Sequence, residues 1–233
     1  MAPIGQRLLA ELLGTFMLVL AAVGSAAAGE GLFGQALANG LVLSVLVASF
    51  AGISGAHFNP AVTVAFTLVG KSRPADAGPY VLTQCVAATL AAAAVAWLYP
   101  DGAAAVARGA ALPAVSPVWA AKLVGGEALI TFLLMVAIYG TMIDTRGPAA
   151  KIGGFGVGFV VAANILAAGP ATGASMNPAR SFGPALVTGD FGLHWCYWLG
   201  PMVGAVAGAI AYEKLLTEPP AVDEQTPSRT PPS

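Results

Sequence analysis

The chain carries one short motif twice, and this repetition is its most restrictive feature. Asn-Pro-Ala occurs at residues 59–61 and again at residues 177–179. Asn is a preferred helix N-cap, and Pro suits the first helical position because its missing N–H would have no partner there. The apolar run after each motif ends within about ten residues, which at a rise of about 1.5 Å per residue covers half of a hydrocarbon core about 30 Å thick. We therefore predict two half-length helices, over residues 60–69 and 178–187.

The composition is that of an integral membrane protein. Hydrophobic residues make up 57% of the chain and charged residues only 9%, against roughly 25% charged residues in soluble domains. A signal peptide on a soluble domain does not fit, because apolar runs recur as far as residue 216. The net charge of −1 offers no basic surface to nucleic acid. The two cysteines and two histidines are too scattered for a metal site, and we expect no cofactor.

The apolar runs predict six full membrane spans in two groups of three, because each run is long enough to cross a bilayer. The runs cover residues 8–28, 33–51, 79–98, 118–143, 152–168 and 194–216. We therefore divide the chain into a first repeat at 1–98 and a second repeat at 118–217. Residues 99–117, rich in Ala and Pro, are interpreted as an extracellular linker, and residues 218–233 as a disordered cytoplasmic tail.

The two halves match each other beyond the motifs. Glu11 and Glu127 open similar stretches that lie 116 positions apart, close to the 118 positions that separate the motifs. Three crossings per half force the second half to insert upside down, which gives an inverted repeat. With a cytoplasmic N-terminus, the inner side receives Arg7, Lys71, Arg73, Arg146, Lys151, Lys214 and Arg229, and the outer side only Arg108 and Lys122. The positive-inside rule therefore favours cytoplasmic termini at both ends. The predicted fold is all-α, with six transmembrane helices and two re-entrant half-helices.

Inversion brings the N-termini of the two half-helices together near the bilayer midplane. Each N-terminus carries roughly +0.5 elementary charge, and Asn59 and Asn177 are expected to point their amide groups into the passage between them. Non-helical backbone before each motif is tolerated in a membrane only where it lines a wet cavity. The sequence therefore predicts a pathway that accepts neutral hydrogen-bonding solutes and repels cations and protons.

Four ionisable residues fall at membrane depth. A guanidinium there is costly and rarely faces lipid, so Arg180 is expected to line the outer mouth of the passage. Glu11 and Glu127 fit either a proton relay or acceptors for the re-entrant backbone of their own halves. We favour the acceptor role, because a relay would need partner groups that the sequence does not show. His57 fits a lumen-lining or a structural role equally well.

Two further features predict helix packing. Gln84 is expected to hydrogen-bond a neighbouring helix or loop rather than to line the pore. Gly200, Gly204 and Gly208 form a ridge of small residues on the sixth span. Such a ridge supports close helix contact, either within the subunit or between subunits.

The chain resembles the aquaporin (major intrinsic protein) family across residues 5–216. The resemblance rests on the two motifs, which comprise Asn59, Pro60, Ala61, Asn177, Pro178 and Ala179, and on Arg180, the paired glutamates and the six spans. It implies a homotetramer in a plasma membrane or bacterial inner membrane, with one pore in every subunit. It also implies passive conduction of water or small uncharged solutes, and no enzymatic activity.

The resemblance also points to a subgroup. In the family, four positions set a narrow filter near the outer mouth, and they correspond here to Asn39, Ile165, Ala174 and Arg180. Strict water channels usually carry Phe and His at the first two positions, so this filter is expected to be wider and more apolar. The stretches at 164–170 and 173–180 are similar to nodulin-like intrinsic proteins and their bacterial relatives, which implies glycerol, urea or undissociated metalloid acids as permeants. Dedicated glycerol facilitators generally have Asp where this chain has Ser181.

Other functions stay open at this point. A strict water channel would require Asn39 and nearby backbone to narrow the lumen. An ion-coupled secondary transporter also uses inverted repeats and broken helices, but it would need acidic groups near the motifs, where the sequence has none. An enzyme would need a nucleophile, a base and an orienting group, which do not emerge from the spans. A purely adhesive membrane protein would have no use for Arg180 at membrane depth.

Overall fold

The computed structural model describes residues 2–110, 117–147 and 152–217, and these are almost entirely helical. The helices are α1 (Ile4–Ala27), α2 (Leu32–Ser54), α3 (Pro60–Leu68), α4 (Pro74–Leu98), α5 (Ala103–Ala110), α6 (Pro117–Ile138), α7 (Gly154–Thr172), α8 (Pro178–Thr188) and α9 (Cys196–Ala211). Helices α6 and α9 each continue into a π-helical turn, at Tyr139–Ile143 and Tyr212–Leu216. Part of the predicted linker forms α5, and the predicted tail at 218–233 lies outside the described residues.

Six of these helices are long and apolar enough to cross a membrane, which confirms the six predicted spans. The largest difference at a single boundary is in the third span, which begins at Pro74 rather than at residue 79. Its first turn contains Asp76, a charge that ends an apolar run in the sequence. In the structure Asp76 is buried and paired with Arg7, so the helix accommodates it.

The two half-helices begin where the motifs predict. Asn59 caps α3 by accepting a hydrogen bond from the backbone N–H of Ala61 at 2.8 Å. Asn177 caps α8 in the same way, from the N–H of Ala179 at 3.0 Å. The two helices have 9 and 11 residues. Neither is long enough to cross a bilayer alone.

The contacts between helices repeat from one half to the other. Helix α1 packs on α2 and α4, as α6 packs on α7 and α9. Each half-helix also packs on the last span of the opposite half, α3 on α9 and α8 on α4, while α2 and α7 meet where the halves join. This exchange brings the two half-helices to the centre of one bundle.

Glycines allow two pairs of helices, α6 with α9 and α2 with α7, to approach each other closely. A Cβ at Gly204 of α9 would lie 2.0 Å from the carbonyl oxygen of Ala128 on α6, and a Cβ at Gly158 of α7 would lie 2.2 Å from that of Gly40 on α2. Gly200 and Gly208 also face α6. The glycine ridge was expected to contact a helix of the same subunit or of another subunit. In the structure it contacts α6 of the same chain.

Candidate functional site: a central cavity at the half-helix tips

A cavity of about 520 Å³ lies at the centre of the bundle. Its wall includes Asn39, His57, Asn59, Ile165, Ala174, Asn177 and Arg180, all of them predicted site residues. The other predicted residues lie behind the wall, including Glu11 and Glu127. Among the described residues that line the cavity, none is acidic. The cavity wall is otherwise mainly aliphatic, so polar solutes meet few, specific hydrogen-bonding groups.

The tips of the two half-helices are joined by reciprocal hydrogen bonds. The Nδ2 of Asn59 donates to the carbonyl oxygen of Met176 at 2.8 Å, and the Nδ2 of Asn177 donates to that of Phe58 at 2.8 Å. Each amide therefore uses one N–H to bind the opposite loop, whereas the sequence prediction had the whole amide group facing the passage. An amide carries two N–H donors, so one remains on each asparagine at the cavity wall.

The backbone before each motif adopts an alternating conformation that is unusual for residues with side chains. Ala56, Phe58, Ala174 and Met176 all have positive φ, between 44° and 54°. Such left-handed residues are strained unless the surrounding structure holds them in place. The repetition in both halves indicates that this geometry is built into the site.

The two buried glutamates hold these strained segments. The two carboxylate oxygens of Glu11 accept hydrogen bonds from the backbone N–H groups of residues 57 and 58, at 3.0 and 2.7 Å. Glu127 accepts from residues 175 and 176 at the same distances. Both side chains are fully buried. The structure therefore has the backbone contacts that we predicted for both acids.

A pair of tyrosines that is not among the predicted residues braces the same segments. The hydroxyl of Tyr80 donates to the carbonyl oxygen of Ser54 at 2.9 Å, and that of Tyr197 donates to Thr172 at 2.6 Å. These bonds fix the C-terminal ends of α2 and α7, where the chain turns into each loop. The tyrosines lie 117 positions apart, close to the 118 positions that separate the two motifs. This repeat offset is a sequence signal that could have identified them.

His57 and Gln84 meet at the hydroxyl of Thr63. The Nδ1 of His57 lies 3.1 Å from Thr63 Oγ1, and the Nε2 of Gln84 donates to the same oxygen at 3.0 Å. Gln84 also donates to Glu11 at 2.8 Å, so it joins helices as predicted. His57 combines its two possible roles, because its ring is held by Thr63 and the residue also lines the cavity.

Arg180 and the other three predicted filter residues come together at the cavity wall. Asn39 lies on α2, Ile165 on α7, Ala174 in the second loop and Arg180 in the first turn of α8. The Nδ2 of Asn39 donates to the carbonyl oxygen of Gln35 at 2.7 Å, which fixes that amide against its own helix. No acidic side chain in the described ranges pairs with Arg180. Their function as a selectivity filter stays a prediction.

A second cation, which is not among the predicted site residues, lies at the end of the cavity near the C-terminus of α3. We call this the inner end, because the predicted topology places it on the cytoplasmic side. Lys71 follows α3, lines the cavity and forms an ion pair with Glu213 at 2.8 Å. Nearby, Arg146 pairs with Asp144 at 2.7 Å and holds the pKa of that carboxyl well below its usual range. Asp144 also accepts a hydrogen bond from Tyr212 at 3.0 Å. These contacts tie together the inner ends of α3, α6 and α9.

Comparisons with known proteins agree with this geometry. A family model described as "Major intrinsic protein" matches residues 2–212. Aquaporin TIP4-4 of Zea mays is 42% identical over 223 residues, covering 90% of this chain and 86% of the relative. Aquaporin NIP1-1 of Zea mays is 41% identical over 216 residues, covering 90% of this chain and 74% of the relative.

A solved structure supports the fold independently. The X-ray structure of the aquaglyceroporin from Plasmodium falciparum superposes with a TM-score of 0.76 at 22% identity, and the match covers 92% of this chain and 97% of that chain. At this identity the likeness concerns the fold. The paired asparagine caps, the paired glutamates, the six spans and the sequence matches together show that this chain belongs to the major intrinsic protein family.

Proposed function

We propose that this chain is a passive channel that conducts water and also neutral solutes larger than water, such as glycerol, urea and undissociated metalloid acids. Membership of the family and the six spans support the channel class, and also the expectation that the chain is not an enzyme. The observation that carries the solute range is the set of residues beside Arg180 at the cavity wall, Asn39, Ile165 and Ala174.

This set suits a molecule with hydroxyl groups on one side and carbon on the other. Strict water channels usually carry Phe and His at the positions of Asn39 and Ile165. Without these rings, less side-chain bulk projects into the lumen than in a strict water channel. Ile165 and Ala174 offer an apolar surface to the carbon atoms of a solute. Arg180 offers N–H donors to its hydroxyl oxygens, which partly replaces the hydrogen bonds that the solute gives up on leaving water.

The charges at the cavity support the exclusion of ions. The N-termini of α3 and α8 both point at the centre, and each adds a partial positive charge. Arg180 adds a full positive charge at the cavity wall, and no described lining residue is acidic. A cation would have to shed water without finding a compensating anion, so it is repelled.

Swelling of vesicles that contain the purified protein tests the solute range. We expect gradients of glycerol, urea and boric acid to collapse faster than in protein-free vesicles, alongside rapid water flux. A variant with both Asn39→Phe and Ile165→His should keep water flux and lose most solute flux, because its filter is narrower. Solute rates equal to those of empty vesicles, together with fast water flux, would establish a water-only channel instead.

A water-only channel is the nearest alternative, and one observation favours it. The side chain of Asn39 is held by its hydrogen bond to Gln35, so it does not easily swing away from the filter. If it narrows the lumen in this position, the double variant would differ little from the wild type in solute flux. An ion-coupled transporter is a weaker alternative, and it predicts that flux responds to ionophores that dissipate ion gradients.

The remaining expectations are also proposals. We propose a homotetramer in a plasma membrane or bacterial inner membrane, with both termini in the cytoplasm. Relatives named as TIP and as NIP aquaporins are almost equally similar, and the filter residues favour the nodulin-like branch. Cross-linking in native membranes tests the assembly, and protease access to an epitope tag on residue 233 tests the orientation.

A further inference from the structure

The two halves of the chain differ at the residue before each motif asparagine. Phe58 and Met176 occupy equivalent positions, with positive φ and the same backbone hydrogen bonds. Met176 lines the central cavity, whereas Phe58 is fully buried away from it. The near-symmetry of the pore is therefore broken just beside the two asparagines.

A single substitution between the repeats explains where Phe58 goes. A Cβ at Gly14 would lie 2.0 Å from the ring of Phe58, so this ring occupies the space that a side chain on α1 would fill. Gly14 is three residues after Glu11, and the equivalent residue three after Glu127 is Ile130. The side chain of Ile130 is buried in the same core. Met176 thus has no corresponding slot to enter.

Met176 is instead held by an amide. The Nδ2 of Asn164 on α7 donates to the sulfur of Met176 at 3.2 Å and to the carbonyl oxygen of Ile130 at 2.9 Å. The bond to Ile130 fixes the direction of the amide, and Asn164 itself is buried. The equivalent residue in the first half, eight positions before the end of α2, is Leu46, which cannot make such a bond.

The bond from Asn164 matters because Met176 has a flexible side chain and lines the cavity. Methionine has three rotatable bonds and a soft thioether, so without an anchor it adopts several positions. A thioether is a weak acceptor, yet a buried donor is enough to select one of these positions. Asn164 adjoins the filter residue Ile165 and contacts α6, so the selected position lies along the α6–α7 side of the lumen.

We propose that Asn164 is a positioning residue for permeation: it pins Met176 against the α6–α7 wall and so sets the width of the lumen between the filter and the motif asparagines. This inference rests on the proposed channel function. When the anchor is removed, Met176 samples positions across the lumen and obstructs larger solutes before it obstructs water.

Vesicle swelling with Asn164→Leu tests the inference, because Leu has a similar size and no donor. We expect glycerol flux to fall roughly fivefold and water flux to fall much less, a discrimination on the scale that one misplaced group produces. Met176→Ala should raise the ratio of glycerol to water flux. In the Met176→Ala background, Asn164→Leu should change neither flux, since there is no side chain left to pin.

Two comparisons separate this role from a structural one. Leu46→Met, a volume-conserving change at the equivalent buried position, should leave the flux ratio unchanged. If Asn164→Leu lowers both fluxes equally and does so in both backgrounds, the residue only supports the fold and the inference is wrong. If the wild type passes water and no glycerol, the proposed solute range fails separately, and the same double-variant cycle on water flux still decides the role of Asn164.

Discussion

At the scale of single residues, the backbone strain before the two motifs has to be offset by nearby contacts. Four residues there have left-handed backbone conformations, and two buried carboxylates bind the same segments. A non-glycine residue with positive φ costs on the order of 1–3 kcal/mol, and there are two in each loop. A hydrogen bond to a charged acceptor contributes roughly 1.5–3 kcal/mol, and each glutamate accepts two from its loop. The carboxylates therefore offset the strain that shapes the cavity wall.

Replacing either glutamate by glutamine should destabilise its loop. Glutamine has one acceptor oxygen where glutamate has two, so one buried backbone N–H loses its partner at a cost of about 1–3 kcal/mol. We expect Glu11→Gln to have the larger effect, because the carboxylate of Glu11 also accepts hydrogen bonds from the side chains of Ser54 and Gln84. Thermal unfolding in detergent measures this, and an unchanged melting temperature in both variants would show that the carboxylates are not needed as acceptors.

Arg180→Val should let cations through the pore. The variant removes a full positive charge at the cavity wall, where no described lining residue is acidic. We expect potassium and proton leak to rise in vesicles loaded with a fluorescent indicator, while water flux is retained. Lys122→Met is the matched control, since Lys122 stacks on Trp119 outside the cavity. Equal leak in the two variants would contradict a role for Arg180 in excluding ions.

The residues at the cavity wall were largely predictable, and the residues behind it were less so. Asn59, Asn177 and Arg180 could be identified because they belong to, or directly follow, a motif whose position in a helix is fixed by capping. The repeat offset was the signal for Tyr80, which lies behind the wall, but Lys71 had no such signal although it lines the wall. A tyrosine or lysine in a single sequence has many possible partners. Their roles depend on which helices meet in three dimensions, and the motifs do not specify that.

At the scale of helices, the close approach of neighbouring helices depends on glycines that pack against the backbone of the next helix. Gly204 lies against the carbonyl of Ala128, and Gly158 lies against that of Gly40. The apolar runs predicted that these segments cross the membrane, and the spacing of Gly200, Gly204 and Gly208 predicted a contact ridge. They did not predict the partner helix, because small residues pack equally well against any helix that presents a smooth face.

Gly204→Ala should destabilise the bundle. Its new methyl group would overlap the carbonyl oxygen of Ala128, which cannot move without shifting α6, so we expect a loss of about 1–3 kcal/mol. Gly125→Ala is the control, because nothing lies within 4 Å of a Cβ at that position, and alanine favours helix by roughly 0.5–1 kcal/mol. Thermal unfolding in detergent should place the two variants on opposite sides of the wild type. Equal stability of both would show that α6 and α9 are less tightly packed than the structure has them.

For the whole molecule, two polar links between described residues join the halves, in addition to the packing of their helices. At the centre the motif asparagines bind the opposite loops, and at the inner end Lys71 of the first half pairs with Glu213 of the second. The central link was predictable from the repeated motif, since an inverted repeat brings equivalent points together. The inner link was not, because it breaks the symmetry between the halves.

The inner end should lose stability in acid through Asp144. Arg146 lowers the pKa of this carboxyl below the unfolded value of about 3.9, so the folded state binds the proton less readily than the unfolded state. The contribution of Asp144 is therefore fully present above about pH 5, falls as the pH drops through the unfolded pKa, and is lost below the folded pKa. We expect the difference in melting temperature between wild type and Asp144→Asn to be constant from about pH 7 to pH 5 and to shrink below about pH 4. A difference in melting temperature that grows toward acid would mean that the pKa of Asp144 is raised in the folded state rather than lowered. The charged carboxylate would then destabilise the contacts at the inner end.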